Sequence, residues 1–571
     1  MANPPPILNR PQRWDAAFDP DMSDVNVERL LSIAPFSQMK ADNFPARLSL
    51  RGILKHDTRI HTYRRGEIIM REGDYGTSAF LVLSGLVRVV LSPGLPASAL
   101  GRRDSTGKNI FKIIAQACFP RREPESFSLR QLNQDVSTSS RGDETRIFLQ
   151  DLPRVLDKHR TAIIEGGEFL GEIAALSRMP RTASIFAESD EAELLEIRWQ
   201  GLRDLMKHDD ALRRHIDEIY RDRALASALR EIPMFKRLPE EALKGVMAKT
   251  EFETYGDYDW SGDYKRLLKS DSRRAPEPAI AEEGDYPNGV ILIKAGFGRV
   301  SQKFGNGHRT LNYLGAGRIY GLQEIAHNWR NPQTPVSMQY TLRVMGYTHV
   351  IKVPTDVMEC LVLPNVPAGD LPPLITPARE EESVMPVAVD AAEMMGADML
   401  EFLTENRLFN GTASMLINLD RCTRCDDCVR ACAAAHDGNP RFLRHGPVSG
   451  KLMVANACMH CVDPVCMIGC PTGAIHRDAF GGEVVINPST CIGCKACFNN
   501  CPYEAIRMVE IRDRQGEILV DKECKPFLKA TKCDLCVEQV TGPACQRACP
   551  HGALARVNMH DLDAFAEWLK R

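Results

Sequence analysis

Two stretches of the chain repeat the same pattern of polar and apolar positions. Residues 71–89 (REGDYGTSAFLVLSGLVRV) align without a gap to residues 282–300 (EEGDYPNGVILIKAGFGRV). In both stretches an acidic-Gly-Asp turn leads into a β-rich apolar run, and a glycine, Gly85 or Gly296, interrupts that run. Turn residues followed by such runs are typical of β-hairpins. The repeat therefore predicts two homologous β-domains in tandem.

The segments outside the repeats differ in periodicity and in proline content. Apolar residues recur at helical spacing after the first repeat, at Leu202, Leu205, Leu212, Ile216 and Ile219. This spacing predicts a helix that joins the two β-domains. Residues 92–163 are polar and punctuated by prolines, so we expect a surface insert in the first β-domain. Six prolines between residues 361 and 390 mark the expected linker to the last part of the chain.

A chain of 571 residues is long enough for about three or four domains. The patterns predict an N-terminal extension at 1–30, a first β-domain at 31–230 with its polar insert at 92–163, a second β-domain at 231–360, a linker at 361–414 and a cysteine-rich domain at 415–571. We therefore expect a multidomain α+β protein.

Charge and hydropathy narrow the possible partners. The formal net charge of −3 and a pI near 6.6 provide no basic excess, so we expect no nucleic-acid partner. No apolar run reaches the roughly 18 residues needed to span a bilayer, so no membrane span is expected. Residues 1–24 show neither a twin-arginine pair nor the apolar core of an export signal. These features predict a cytoplasmic protein, and free thiols fit a reducing compartment.

Cysteine is concentrated in the last third of the chain. Sixteen of the nineteen cysteines lie between Cys422 and Cys549 in four groups of four. Two groups have the spacing C-x2-C-x2-C-x3-C, and the other two have four or eight residues between the second and third cysteines. The groups are Cys422, Cys425, Cys428, Cys432; Cys458, Cys461, Cys466, Cys470; Cys491, Cys494, Cys497, Cys501; and Cys533, Cys536, Cys545, Cys549. Thiolates at this spacing are typical ligands of iron–sulfur clusters, so the pattern predicts four [4Fe–4S] clusters.

Two other uses of cysteine fit the spacing less well. Structural zinc would require C-x2-C pairs in twos, without the third and fourth cysteines of each group. A disulfide framework would require an oxidising compartment. Three charged residues (Arg424, Lys495 and Lys532) and three histidines (His436, His460 and His551) lie beside ligand cysteines. The charged side chains either tune individual clusters or lie at the surface, and we expect the surface position. We expect the histidines next to the clusters or at the surface, because each site has four thiolates.

Residues 169–185 (FLGEIAALSRMPRTASI) closely resemble the phosphate-binding cassette of cyclic nucleotide-binding domains. That family includes catabolite activator proteins and the regulatory subunits of cyclic nucleotide-dependent kinases. The resemblance implies two β-roll, jelly-roll-like domains, with cAMP or cGMP bound to the first. The cassette residues implied at the nucleotide are Gly171, Glu172, Ile173, Ala174, Arg181, Thr182 and Ala183.

The resemblance also implies a role for individual cassette residues. Gly171 and the neighbouring amides would face the phosphate, Glu172 would accept a hydrogen bond from the ribose 2′-hydroxyl, and Arg181 would pair with the phosphate. This chemistry is sound, because helix-start amides and a guanidinium bind anions while a carboxylate binds a hydroxyl. Thr182 occurs at this position in cGMP-preferring kinases, which leaves the choice of nucleotide open. The alternative is an inherited barrel element that binds no ligand.

The second cassette departs from the family pattern. Aligning the EIA sequence at Glu324 with that at Glu172 brings Gln333 to the position of Arg181. A neutral amide cannot balance the charge of a phosphate. We therefore expect the second β-domain to be a structural or docking module, with Glu324 an ordinary surface or helix-start carboxylate.

The cysteine-rich region has its own resemblance. The sequences ANACMHCVDPVCMIGCPTGAI, CIGCKACFNNCPYEAI and ATKCDLC look like the four-cluster iron–sulfur subunits of molybdopterin oxidoreductases and of some hydrogenases. This resemblance implies a double ferredoxin-like domain with crossed ligation. The implied ligand sets are Cys422, Cys425, Cys428 with Cys549; Cys533, Cys536, Cys545 with Cys432; Cys458, Cys461, Cys466 with Cys501; and Cys491, Cys494, Cys497 with Cys470.

Sequence motifs for substrate chemistry are missing: we find no GxGxxG after a strand, no GxxxxGK[ST], no HExxH and no GxSxG. The sequence thus predicts an electron-transfer subunit that is not catalytic alone. Its partner in a hetero-oligomeric oxidoreductase complex would be a flavoprotein, a pyridine-nucleotide enzyme or a hydrogenase, and cyclic nucleotide at the first domain would regulate it. Two alternatives stay open. One is a scaffold whose β-domains bind nothing, and the other is a redox-responsive regulator, although no helix-turn-helix follows either β-domain.

Overall fold

The computed structural model is described here for residues 7–8, 13–15, 17–92, 160–172, 180–236, 238–256, 260–269, 277–305, 307–375, 397–436, 438–478, 482–512, 517–521, 523–536, 539, 541–559 and 562–570. The chain forms two compact units. The first unit comprises residues 1–218, 420–445 and 455–555, and the second comprises residues 219–419, 446–454 and 556–571. Most of the predicted insert, from residue 93 to 159, lies outside the described residues, as does 376–396 of the linker.

The first unit contains a β-roll built from two antiparallel four-stranded sheets. One sheet has the strand order Thr58–Arg64, Glu191–Arg198, Ser78–Ser84, Phe169–Leu170, and the other has the order Ile68–Met70, Ser184–Ala187, Val87–Ser92, Arg160–Ile164. Apolar side chains from both sheets fill the interior, among them Phe80, Val89, Leu170 and Ile185. Each fully buried side chain of this size contributes about 1.5–3 kcal/mol to folding.

The second unit contains a β-roll with the same connectivity. Its sheets have the strand orders Glu251–Tyr255, Thr348–Pro354, Gly289–Ala295, Ile319–Tyr320 and Ala279–Ala281, Thr341–Val344, Gly298–Phe304, Gly307–Leu314. When the strands of each β-roll are counted in chain order, both have the orders 1-8-3-6 and 2-7-4-5. The prediction of two β-roll domains is confirmed.

The glycine that interrupts each repeat lies in a tight hairpin with left-handed backbone. Gly85 has a φ of 83° and Gly296 a φ of 85°. A Cβ placed on Gly296 would lie 2.3 Å from the carbonyl oxygen of Tyr347, and one on Gly85 would lie 2.5 Å from that of Glu191. Both the backbone angle and the space therefore require glycine.

We expect Gly296→Ala to lower the free energy of unfolding by about 1–3 kcal/mol, because it adds steric overlap to a strained φ. Gly305→Ala is the matched control, since Gly305 also has positive φ but has no atom within 4 Å of a built Cβ. Urea denaturation of both variants measures the difference. Equal stability of the two would contradict this account of the hairpin.

Two helices follow the first β-roll where the sequence predicted one. The helix Trp199–His208 is followed by its C-cap residue Asp209, and the helix Asp210–Glu231 begins at the next residue. The Asp209 carboxylate accepts a hydrogen bond of 2.7 Å from the Leu212 amide, which is the usual way to begin a new helix. Among the described residues, the other α-helices of at least four residues are Asp24–Leu31, Leu50–His56, Pro233–Lys236, Glu240–Lys249, Trp260–Lys269, Leu322–Arg330, Ala397–Glu405, Asp427–Ala435, Ala496–Asn500, Ala544–Arg547 and Leu562–Lys570, and Met358–Val362 forms a π-helix.

The cysteine-rich part of the first unit is made of short helices and two-stranded ribbons. The strand pairs are Phe442–Leu443 with Asn456–Ala457, Ile475–Arg477 with Val484–Ile486, and Arg507–Glu510 with Leu528–Thr531. In this region cysteines take the place of a conventional apolar core: Cys458, Cys466, Cys491 and Cys501 pack with Ile475 and Ile506. In the second unit, Ser414–Asn418 pairs with Leu452–Val454.

Across the residues described above, every helix is too short or too polar to cross a lipid bilayer.

Candidate iron–sulfur and nucleotide sites

The four cysteine groups share one backbone feature. The residue before the second cysteine of each group has positive φ: 61° at Arg424, 50° at His460, 69° at Gly493 and 60° at Leu535. A left-handed conformation costs a residue with a side chain about 1–2 kcal/mol. Its recurrence at four equivalent positions indicates loops whose shape is set by function.

The fourth cysteine of the first group lies among the cysteines of the last group. Burial raises the pKa of Cys432 to about 12; the Arg441 amide opposes this shift, and the nearby thiolates of Cys533, Cys545 and Cys536 add to it. The exchange is reciprocal. Burial raises the pKa of Cys428, and the charges of Cys549 and Cys422 raise it further.

The two middle groups exchange their fourth cysteines in the same way. Burial raises the pKa of Cys466, and electrostatic repulsion from the neighbouring Cys501, Cys458 and Cys461 raises it further. Burial likewise raises the pKa of Cys497 to about 12, with Cys491, Cys470 and Cys494 as the neighbouring thiolates. The structure thus brings together three complete sets of the crossed arrangement and, in the first set, Cys422, Cys428 and Cys549.

The surroundings of the thiols fit a cubane cluster. One small pocket is lined by Cys470, Cys491, Cys494 and Cys497 together with apolar side chains such as Ile475 and Ile486. Backbone amides donate to sulfur elsewhere in the region: Arg441 N–H to Cys432 Sγ at 3.2 Å and Ala553 N–H to Cys549 Sγ at 3.3 Å. Soft thiolates that receive amide hydrogen bonds are the donor set that [4Fe–4S] clusters use.

The charged residues beside the cysteines differ in burial. Arg424 and Lys495 are exposed, as expected. Lys532 is only 4% exposed, so the expectation of a surface charge was wrong there. Its ammonium donates to the carbonyl oxygen of Cys533 at 3.0 Å and also to that of Val484. Two carbonyl acceptors offset part of the cost of burying this charge.

The histidines contact the cysteine region in different ways. His436 is buried, and its Nε2 lies 3.8 Å from Cys536 Sγ and 3.7 Å from an Asp534 carboxylate oxygen. These three side chains are close enough to share a metal ion, but Cys536 already belongs to a cysteine set. The His460 ring is buried and accepts the Val484 amide at Nδ1, at 3.1 Å. His551 is exposed.

The first β-roll buries both Arg181 and Glu172, which are 7% and 1% exposed, and the Glu172 carboxylate acts electrostatically on Arg181. Arg181 donates from Nη1 to the Gly171 carbonyl at 2.7 Å and from Nη2 to the Ser78 carbonyl at 2.6 Å. Burial lowers the pKa of Arg181 to about 10, while the Glu196, Glu172 and Asp74 carboxylates act in the opposite direction. The guanidinium therefore stays charged at neutral pH.

The remaining cassette residues are less enclosed. Thr182 is exposed and Ala183 is half-buried. The predicted site residues Ile173 and Ala174 lie outside the described residues. The arrangement offers a charged donor and a carboxylate within one interior, which is suited to a ligand that carries both an anion and a hydroxyl.

In the second β-roll, the structural equivalent of Arg181 is Met338, which corrects the alignment with Gln333. Gly73 N–H donates to the Arg181 carbonyl and Arg181 N–H to the Asp74 carbonyl, both at 2.8 Å. Two hydrogen bonds with the same pattern join Gly284 and Asp285 to Met338, at 2.9 and 2.8 Å. Sequence alignment missed this because the segment from Glu324 to Met338 is five residues longer than that from Glu172 to Arg181, and Gln333 is an exposed residue of that segment.

Because Met338 occupies the position of Arg181, the second β-roll has no guanidinium at this position to bind an anion. Met338 is 3% exposed and its thioether carries no charge. Glu324 lies in the first turn of Leu322–Arg330, as one alternative predicted, but it is buried, and burial raises its pKa. The expectation of a surface position for Glu324 was wrong.

Within the first unit, the β-roll contacts the cysteine-rich region through residues that the sequence analysis did not identify. The Arg477 guanidinium lies over the Tyr75 ring, 4.8 Å from its centroid. Arg203, in the helix Trp199–His208, donates to the Ile468 carbonyl. The partners are far apart in the chain and belong to no motif, so no local signal pointed to them.

The cysteine-rich region is similar to known iron–sulfur proteins. The 4Fe-4S dicluster domain matches residues 450–559. An iron-sulfur protein of Rhodospirillum rubrum is 37% identical over 26% of this chain and 82% of its own length. The electron transport protein HydN of Escherichia coli K12 is 33% identical over 28% of this chain and 94% of its own length.

Among solved structures, the regulatory domain of Toxoplasma gondii PKA, in a co-crystal with cAMP, covers 59% of this chain and 93% of its own at 13% identity and a TM-score of 0.19. The matches of the cysteine-rich region are stronger, because their sequence identity is 33–37% over most of each relative. Through that region, the chain belongs to the 4Fe-4S dicluster family of iron–sulfur proteins.

Proposed function

We propose that this protein is an electron-transfer subunit of an oxidoreductase complex, with four [4Fe–4S] clusters as its carriers. The observation that supports the proposal is that cysteines of different groups lie close together: Cys428 near Cys549, Cys432 near Cys533, Cys536 and Cys545, Cys466 near Cys501, and Cys497 near Cys470. HydN, which shares this region, is named an electron transport protein. When bound, such clusters supply one-electron chemistry.

The chain's own residues would hold and insulate the clusters. We propose the ligand sets Cys422, Cys425, Cys428, Cys549; Cys432, Cys533, Cys536, Cys545; Cys458, Cys461, Cys466, Cys501; and Cys470, Cys491, Cys494, Cys497. Cys425 and Cys494 are exposed, whereas Cys432, Cys466 and Cys545 are buried. Electrons would enter and leave at the exposed sets, where a partner subunit can approach. The need to keep these thiols reduced favours the cytoplasm.

We propose further that cAMP or cGMP binds the first β-roll and regulates this electron transfer. The buried charge of Arg181 beside Glu172 supports binding of a phosphate and a ribose hydroxyl. The second β-roll, with Met338 in place of the arginine, would be structural.

One observation favours a second candidate function, a scaffold whose β-rolls bind no nucleotide. Both Nη groups of Arg181 donate to backbone carbonyls in this structure, so a phosphate would have to displace them. Calorimetry of the full chain with cAMP and with cGMP decides between the two functions. Heat of binding with one site per chain supports regulation, and no heat with either nucleotide supports the scaffold.

The electron-transfer proposal has a direct test on the purified protein. The chain alone should accept electrons from dithionite and pass them to an artificial acceptor such as an oxidised viologen dye. It should oxidise neither NADH nor hydrogen nor formate, because it has no sequence motif for a dinucleotide and sixteen of its nineteen cysteines are assigned to clusters. NADH oxidation at an enzyme-like rate, of order 1–10³ per second, would contradict the proposal.

A further inference from the structure

Tyr75 lies in a turn, residues 73–76, that contacts the cassette residues Pro180 and Arg181. Tyr75 forms a β-bridge with Pro180, and the Asp74 carbonyl accepts the Arg181 amide at 2.8 Å. A Cβ built on Gly76 would lie 2.1 Å from Arg181 Nε, so the guanidinium lies directly against the backbone of this turn. A movement of the Arg181 side chain therefore has to move the turn or be resisted by it.

The Tyr75 ring reaches out of the β-roll and packs on the cysteine-rich region. It lies between the Arg477 guanidinium, 4.8 Å from the ring centroid, and the backbone of Gly482. A Cβ at Gly482 would be 2.3 Å from Tyr75 Cε2, which shows how closely the ring fits. Arg477 and Gly482 flank the turn of the hairpin formed by Ile475–Arg477 and Val484–Ile486.

Arg477 connects this contact to one cysteine set. Its Nη2 donates to the carbonyls of Cys461 and Val462, both at 2.6 Å, and its Nη1 donates to the Gly482 carbonyl at 2.7 Å. The side chain is 6% exposed, so solvent screens its charge weakly. A buried cation beside a cluster ligand favours the more negative, reduced state of that cluster.

We propose that Tyr75 and Arg477 couple the two sites: anion binding at Arg181 shifts the reduction potential of the cluster held by Cys458, Cys461, Cys466 and Cys501. Arg477 is a positioning residue that sets this potential, and Tyr75 transmits the state of the cassette to it. The inference rests on the proposed function, in which nucleotide regulates electron transfer, and names the residues through which that regulation acts. Reduction takes one electron, supplied by dithionite, and neither a proton nor a covalent bond enters the step.

Thermodynamic linkage makes the coupling reciprocal. If nucleotide shifts the potential, reduction must change nucleotide affinity by the same free energy. A tenfold change of affinity, which is within the range of a desolvated cation–π contact, corresponds to about 59 mV for a one-electron couple. The two quantities are measured independently, so their agreement is a strict test.

The experiment is an EPR-monitored redox titration of the full-length, cluster-loaded protein, with and without the nucleotide that calorimetry shows to bind. The reduction potential of one cluster should shift when nucleotide is bound, and the potentials of the other clusters should stay the same. Calorimetry should measure the nucleotide affinity of the oxidised and of the dithionite-reduced protein. The ratio of these two affinities should equal the ratio calculated from the shift in reduction potential.

Four variants assign the coupling to the two residues. Arg477→Gln should lower the potential of one cluster even without nucleotide and abolish the nucleotide shift, whereas Arg477→Lys, which keeps the charge, should restore most of that potential. Tyr75→Leu should abolish the shift, and Tyr75→Phe, which keeps the ring, should retain it. Arg203→Gln, which removes the separate contact to Ile468, should leave the shift intact. Melting temperatures of all variants verify that they fold.

Three results would overturn the inference. Nucleotide binding without any shift of potential would refute the coupling and leave the proposed regulation standing by another route. Loss of the shift in Arg203→Gln as well as Tyr75→Leu would assign the effect to the whole interface. If no nucleotide binds, both the coupling and the proposed regulation fail, while an Arg477→Gln change in potential would still identify the residue that tunes this cluster.

Discussion

Anaerobically reconstituted protein should contain about sixteen iron atoms and about sixteen acid-labile sulfides per chain, as expected for four [4Fe–4S] clusters. The expectation follows from the four proposed ligand sets, each of which combines cysteines from two parts of the sequence. Chemical iron analysis and EPR of the reduced protein measure it. A plateau near eight irons would show that two of the sets do not assemble a cluster.

The crossed ligand sets predict a pattern of double substitutions that spacing alone would not. Cys501→Ser and Cys461→Ser should each remove about four irons. The double variant of these two should also lose about four, because both residues serve the same cluster. Cys501→Ser combined with Cys494→Ser should lose about eight, although Cys494 is nearer in sequence.

Cys524→Ser is the matched control for these substitutions. Cys524 is an exposed cysteine of the same region that belongs to no set, so its removal should leave the iron content unchanged. If the Cys501–Cys494 double variant loses only four irons, each group of four binds its own cluster and the crossed arrangement is wrong. Iron per folded chain, normalised by amino-acid analysis, distinguishes the two outcomes.

Much of this architecture could be predicted from sequence because its causes are local. Cysteine spacing follows from the short loops that wrap a cluster, and the glycine at each hairpin follows from a positive φ that other residues avoid. The repeated turn and apolar run were enough to predict two β-rolls. These features depend on residues close together in the chain, so a single sequence is sufficient to predict them.

The features that could not be predicted depend on contacts between distant segments. The burial of Lys532 depends on the Val484 carbonyl, and the contact of Arg477 depends on a tyrosine in the first β-roll. Loop length caused the error at Met338, because an ungapped alignment cannot place an insertion. Asp209 divides the expected helix through a single capping hydrogen bond. Each of these four features can be identified only when the three-dimensional fold is known.

Arg181→Ala should weaken cyclic nucleotide binding by about one to two decades. A hydrogen bond to a charged group contributes about 1.5–3 kcal/mol, and about 1.4 kcal/mol is tenfold in affinity. Met338→Ala is the matched control, because Met338 occupies the equivalent, buried position of the second β-roll and carries no charge. It should leave the affinity unchanged. Calorimetry on the full-length protein with each nucleotide measures both variants.

The alanine substitution also removes the donors to the Gly171 and Ser78 carbonyls, so loss of binding could reflect a damaged β-roll. Arg181→Lys separates the two effects, because it keeps the charge but loses the planar pair of donors. We expect its affinity to fall between wild type and Arg181→Ala, with a melting temperature close to wild type. If Met338→Ala weakens binding as much as Arg181→Ala, the nucleotide site lies in the second β-roll, and the assignment of the first as the sensor is wrong.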